Sequence, residues 1–199
     1  MMQNDTANSV IAALGRLQQV STDFDLNPEG PPKPRHLRSA AVLVALQQID
    51  GQMQVILTRR ASHLKHHAGQ IAFPGGKQDE EDSDIVQTAL READEEIGLP
   101  PESVEILGKM PNHETVTSFT VTPVFGLVTG TFTPRPDANE VAEVFTAPLS
   151  HLTDISQFSI QTRRWRGLER RYYTVPFGPY YIWGATARIM RGLAEGMRA

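Results

Sequence analysis

The chain contains no cysteine, which excludes disulfide staples and any thiolate-held metal. No apolar run approaches the length that spans a bilayer, and Met1 to Thr6 is polar, without the apolar stretch of a secretory signal. Charge of one sign is also scarce: 19 Lys and Arg against 23 Asp and Glu leave a net charge of −4. That balance carries no basic footprint for nucleic acid. Aromatics make up only 7%. What is present is apolar content of 40% over 199 residues, enough for the core of one domain. These features together predict a soluble cytoplasmic protein with neither a membrane nor a nucleic-acid partner.

Residues 7–20 place Val10, Ile11, Leu14 and Leu17 at helical spacing and predict an N-terminal helix packed on the main body. Residues 27–36 (NPEGPPKPRH) read as an extended Pro-rich connector. The apolar run Arg38 to Leu46 predicts a buried strand, Asp50-Gly51 a hairpin turn, and Met53 to Thr58 the returning strand. Further strands are expected at 104–110, 117–128, 141–145, 172–175 and 180–183. Ala185 to Met197 has the pattern of an amphipathic closing helix. The resulting division is an N-terminal helix and connector over 1–36, then one domain over 37–199.

The most informative segment is Gly75 to Leu99, GGKQDEEDSDIVQTALREADEEIGL. A glycine turn leads through an acidic loop into a helix predicted over 84–97, with Ser83 or Asp82 as N-cap. Gly98 supplies the left-handed stop. Ile85, Ala89, Leu90, Ala93 and Ile97 form the stripe that faces a core. Glu92, Glu95 and Glu96 stand at i, i+3 and i+4, within an arc of about 100° on one side of the helix. Like charges at this spacing repel. A divalent cation turns that cost into binding, because hard oxygen donors suit Mg²⁺ and Mn²⁺. A plain solvated acidic face is the alternative.

Gly76 to Leu99 resembles the Nudix box, a glycine followed by an REUxEExGU ending in which U is bulky and apolar. Arg91 to Leu99 (READEEIGL) fits that ending, with Ala93 as a small first U. Here Arg91 lies fifteen residues after Gly76, where the general box has fourteen, and Asp82 stands where an early Glu is usual. This expansion is similar to the coenzyme A pyrophosphatase branch. So is the preceding stretch from Leu57 to Gly76 (LTRRASHLKHHAGQIAFPGG), which resembles LLTxR[SA]xxx[R]xxxGxxxFPGG with Ile56 for the first Leu and Lys65 for the second Arg. Lys is not equivalent to Arg toward phosphate.

The resemblance implies an α/β/α sandwich around a mixed sheet and metal-dependent hydrolysis of the diphosphate of coenzyme A or its thioesters. It implies Glu92, Glu95 and Glu96 as ligands for Mg²⁺ or Mn²⁺, with Glu95 a ligand or the base, and Arg91 orienting an acidic neighbour. A surface pairing of Arg91 with Gln87 or Glu95 is the alternative. Glu140 and Glu143, after the box, are candidates for an additional base or ligand, and Glu140 joins the expected catalytic set. Arg60, Lys65, Gly75 and Gly76 are expected to bind a small nucleotide substrate. The basic stretch Arg59, Arg60, His63, Lys65, His66 and His67 suggests anion recognition; its histidines lack a matching fourth ligand for zinc. Arg35, Arg38, His113 and Glu114 are weaker candidates, as are Trp165, Tyr172, Phe177 and Trp183 for stacking on adenine. Other readings are a hydrolase of ADP-ribose, NADH or a dinucleoside polyphosphate, or a nucleotide-binding module without turnover. A homodimer remains open.

Overall fold

Strand β2 (Arg38–Ile49) carries the alternation that organises the molecule. Ala41, Leu43 and Ala45 enter one buried cluster, whereas Val44 and Leu46 enter another. Successive side chains on a strand point to opposite faces, and burial on both faces explains the near-continuous apolar run. The computed structural model describes residues 2–27, 29–31, 35–165 and 167–198.

Among these, nine strands form one mixed sheet. β2 pairs antiparallel with β3 (Gln52–Arg60) through the Asp50-Gly51 hairpin, and parallel with β8 (Phe119–Val128). β6 (Val104–Lys109) and β7 (His113–Glu114) line β8, and β1 (Ser21–Thr22) extends β7. β4 (Ile71–Ala72) and β9 (Val141–Pro148) pair with β3, while β5 (Gly75–Lys77) pairs with β2. Helix α2 (Ile85–Ile97) covers one face, burying Ala89, Ala93 and Ile97 against Leu43, Ile56 and Val124. The other face is covered by α1 (Met2–Arg16), α3 (Leu149–Leu152) and α4 (Ala185–Arg198), which pack Val10, Leu152, Met190 and Leu193 onto Val44, Leu57 and Phe125. The architecture is the expected α/β/α sandwich with an N-terminal helix.

Several boundaries differ from expectation. Helix α1 starts and stops earlier, because the chain after Arg16 must reach β1, whose Ser21 N–H bonds the Asn112 carbonyl. The residues 180–183 are not a strand: Phe177 and Tyr180 exchange backbone hydrogen bonds around a turn at Gly178 (φ 53°). The expected strand 172–175 is the end of β11 (Leu168–Thr174), which forms a separate hairpin with β10 (Ser159–Trp165). β10 has no apolar alternation to predict it, being mostly polar with Arg163 and Arg164 adjacent. Most of the expected connector's prolines, at 28, 32 and 34, fall outside the described residues.

His113 is fully buried at the join of β1 and β7. Its Nδ1 lies 2.9 Å from Ser21 Oγ and its Nε2 3.1 Å from Asp23 Oδ1. Asp23 Oδ2 also accepts from Val116 N–H. The residue thus clasps the sheet edge and does not line a substrate surface. His113→Ala strands both partners and is expected to cost about 1–3 kcal/mol, read as a lowered urea midpoint with KM unchanged.

Candidate active site

The acidic face is built by helix α2 and by the backbone it presses on. Asp84, not Ser83 or Asp82, is the N-cap: its side chain accepts from the N–H groups of Val86 and Gln87. Gln87 Oε1 accepts from Ser83 N–H at 2.6 Å, reaching back over the helix start. At the other end Gly98 takes φ 69°, as the left-handed stop requires. The aliphatic stripe seats the helix, so Glu92 and Glu96 turn toward β5.

A Cβ at position 76 would fall on the Glu92 carboxylate, so a side chain there would displace that acid. At Gly75 (φ 155°) a Cβ would strike the backbone of Ala41 and Val42. The Gly75 N–H donates to Glu96 Oε2 at 3.2 Å, and Arg60 Nη1 lies 3.6 Å from Glu96 Oε1. Glu96 is only 4% exposed. Burial pushes its pKa up to about 7, against the pull of the Gly75 N–H and Arg60, with Glu140 and Glu92 adding to the rise. Glu92 is also raised, chiefly by burial, with Arg91 opposing and Glu95 and Glu140 contributing.

Arg91 organises the remainder. Its Nε donates to Asp82 Oδ1 at 2.9 Å and its Nη2 to Asp82 Oδ2 at 3.0 Å, a bidentate pair. Nη2 also reaches the Lys77 carbonyl, and Nη1 is shared by Glu92 Oε1 (3.1 Å) and Glu95 Oε2 (3.0 Å). Asp82 is the partner that sequence reasoning missed, although its place six residues after Gly76 was the available signal. Of the two surface partners considered for Arg91, Glu95 is present and Gln87 is not.

The structure brings Arg60, Gly75, Gly76, Arg91, Glu92, Glu95 and Glu96 together. Glu140 joins them from a later loop. Asp137 N–H donates to the Glu96 carbonyl and Arg135 N–H to that of Ile97, while Glu140 N–H closes on Asp137 O. Glu143 does not join: it pairs with Arg59 at 3.1 Å and accepts from Tyr180 Oη at 2.7 Å. Lys65 is exposed in the loop 61–70, without a hydrogen bond or ion pair to these acids. In the same loop His63 Nε2 meets the Asn139 carbonyl and His67 Nδ1 meets Gln70 Oε1. Arg35 and Glu114 pair with each other, and Arg38 lies over the Phe119 ring. Tyr172 and Trp183 pack together and Phe177 joins the core; the Trp165 side chain lies outside the described residues.

Among the described residues no three acidic or histidine side chains already converge as a coordination shell. Glu92 and Glu95 instead share Arg91, and Glu96 faces Arg60. The donor chemistry nonetheless fits a hard divalent cation, since all three acids offer oxygen. Glu96 is buried and Glu92 half-buried, and the charge of each is only partly met by its partners.

Asp82 tests this frame. Arg91 holds its carboxyl well below the usual carboxylate range, mainly through the hydrogen bonds. A lowered folded-state pKa gives stability that is complete above the unfolded value and is lost as pH falls toward the folded one. Asp82→Asn is expected to cost about 1–3 kcal/mol. The difference from wild type in urea unfolding should stay flat near neutral pH and shrink below about pH 4.

Comparison with known proteins agrees with the geometry. The NUDIX domain family model matches residues 36–166. The chain is 43% identical over 157 residues to the uncharacterized Nudix hydrolase NudL of Enterobacter sp. (strain 638), covering 79% of this chain and 81% of that protein. It is 38% identical over 169 residues to the NudL of Salmonella typhimurium, covering 85% and 88%. A solved MutT/nudix family protein from Enterococcus faecalis superposes with a TM-score of 0.51 at 19% identity, covering 81% of this chain and 62% of that one, a likeness of fold alone. Matched across most of its length and keeping the arginine and three glutamates on α2, the chain belongs to the Nudix hydrolases.

Proposed function

We propose that the protein hydrolyses the diphosphate bond of coenzyme A or an acyl-coenzyme A. The family-level statement is broader: a Nudix hydrolase acting on a nucleoside diphosphate derivative. The narrower reading rests on the run Leu57 to Gly76 ahead of the box and on the ion pair between its Arg60 and Glu96. Residues 37–199 are taken as the hydrolase domain, with 1–36 appended.

Glu92, Glu95 and Glu96 would hold Mg²⁺ or Mn²⁺, which supplies charge neutralisation at phosphoryl oxygens and an acidified water. Arg91 sets the side-chain directions of Glu92 and Glu95 while anchored on Asp82. Gly75 and Gly76 let the backbone approach the substrate closely, and Arg60 and Lys65 bind its phosphates. Glu140, exposed and electrostatically coupled to Glu92 and Glu96, takes the proton of the attacking water. The water oxygen bonds to one phosphorus and a P–O–P bond breaks. The products are adenosine 3′,5′-bisphosphate and 4′-phosphopantetheine or its acylated form.

Purified protein with coenzyme A and Mg²⁺ or Mn²⁺ should yield both products by chromatography. Absence of cleavage with either ion, alongside turnover of ADP-ribose, NADH or a dinucleoside polyphosphate, overturns the substrate assignment. Glu96→Gln should lower kcat/KM at least about 100-fold, ~2.7 kcal/mol of transition-state stabilisation, while retaining a cooperative unfolding transition.

A further inference from the structure

Two arginines stand side by side at the end of β3, and a register shift separates them. Arg59 pairs with Glu143 on β9, but Arg60 pairs with Val141, leaving Ala142 as the extra residue of a bulge. Alternation along β3 sends the two guanidinium groups to opposite faces. Arg60 goes to the α2 face, where it meets Glu96. Arg59 goes to the other, where Glu143 meets it.

The Arg59 arrangement is preorganised and incomplete. Glu143 Oε2 faces Nε at 3.1 Å, and neither Nη1 nor Nη2 donates a hydrogen bond to another described residue. Glu143 is fixed in turn, since the Tyr180 hydroxyl donates to its Oε1 at 2.7 Å. Tyr180 is itself clamped, its ring stacked on Phe145 with centroids 3.5 Å apart and planes within 6°. The Arg59 side chain remains 49% exposed. An ion pair this exposed stabilises a fold by about 0–1 kcal/mol, a small return for ordering three side chains. What the order achieves is a guanidinium held by its inner edge, with the outer fork turned to solvent. That fork matches a phosphate dianion in bidentate geometry.

We propose that Arg59 is a specificity-determining residue that reads a phosphate monoester carried by the substrate apart from its diphosphate. This rests on the reading of the chain as a hydrolase of such a nucleotide. Arg60 on one face serves the diphosphate beside the glutamates. Arg59 on the other takes the separate phosphate of a substrate lying across the strand end. Glu143 and Tyr180 are positioning residues for Arg59.

The test compares coenzyme A with dephospho-coenzyme A, which lacks only the ribose 3′-phosphate, in the presence of Mn²⁺. Wild type should favour coenzyme A by tenfold or more in kcat/KM. Arg59→Gln should bring the ratio near one, mostly through KM, and Arg59→Lys should recover part of it. A wild-type ratio retained in Arg59→Gln, or an equal loss on both substrates, overturns the proposal. Calorimetric binding of adenosine 3′,5′-bisphosphate against adenosine 5′-monophosphate separates it from the substrate assignment. If wild type cleaves neither coenzyme, that assignment falls. A bisphosphate preference abolished in Arg59→Gln still upholds the role of Arg59, whereas equal binding of the two nucleotides by wild type overturns it.

Discussion

Two carboxylates pressed against a glycine backbone set the terms for this molecule. Removing a carboxylate from water is expensive unless its charge is met. Glu96 meets one backbone N–H and one distant guanidinium nitrogen, and Glu92 meets a single nitrogen of Arg91. Neither is fully compensated, and both are driven toward their neutral forms. Such a seam persists only if the surrounding packing enforces it. The enforcement comes from the small residues Ala89 and Ala93, which let α2 settle closely on Ala41, Leu43 and Ala45. The absence of a side chain at Gly76 leaves room for the Glu92 carboxylate to lie against the β5 backbone.

The two faces of the sheet divide the labour. The face under α1, α3 and α4 holds the larger aliphatic and aromatic cluster. The face under α2 holds smaller residues and carries the candidate site. Because a strand alternates its side chains, β2 and β3 contribute to both, and β3 ends with one arginine on each side. Asp82 clamps the loop before α2 to the helix through Arg91, and Thr88 adds a further hydrogen bond to the same carboxylate at 2.9 Å. The candidate site residues of α2 therefore sit on an element tied to the preceding loop as well as to the sheet.

Much of this was legible in the residues themselves. The α2 stripe, the Gly98 stop and the buried strand from Arg38 follow from periodicity and turn chemistry. The local signals failed where a side chain had competing partners. Asp82 and Ser83 are credible caps by composition, yet Asp82 is consumed by Arg91, and Asp84 is left to cap. Glu140 and Glu143 look equivalent in NEVAEVF, but Glu140 belongs to the turn before β9, closed by its N–H on Asp137 O, whereas Glu143 lies within the strand opposite Arg59. Periodicity alone does not show where a strand begins. β10 and the start of β11 escaped because the adjacent pairs Arg163–Arg164 and Arg170–Arg171 interrupt any apolar alternation, and only the Tyr172–Thr174 end of the hairpin reads as a strand.

The hook from the loop after β8 onto the last turn of α2 has a mechanical corollary. Asp137 and Arg135 occupy the carbonyls of Glu96 and Ile97, so the chain segment that bears Glu140 is fastened to the helix that bears the other glutamates. Thermal rocking of that helix on its bed of alanines carries the distant acid along as cargo. Spacing among the acids is thereby buffered against breathing of the sandwich, and a ligand gripped by all of them would travel with one rigid raft.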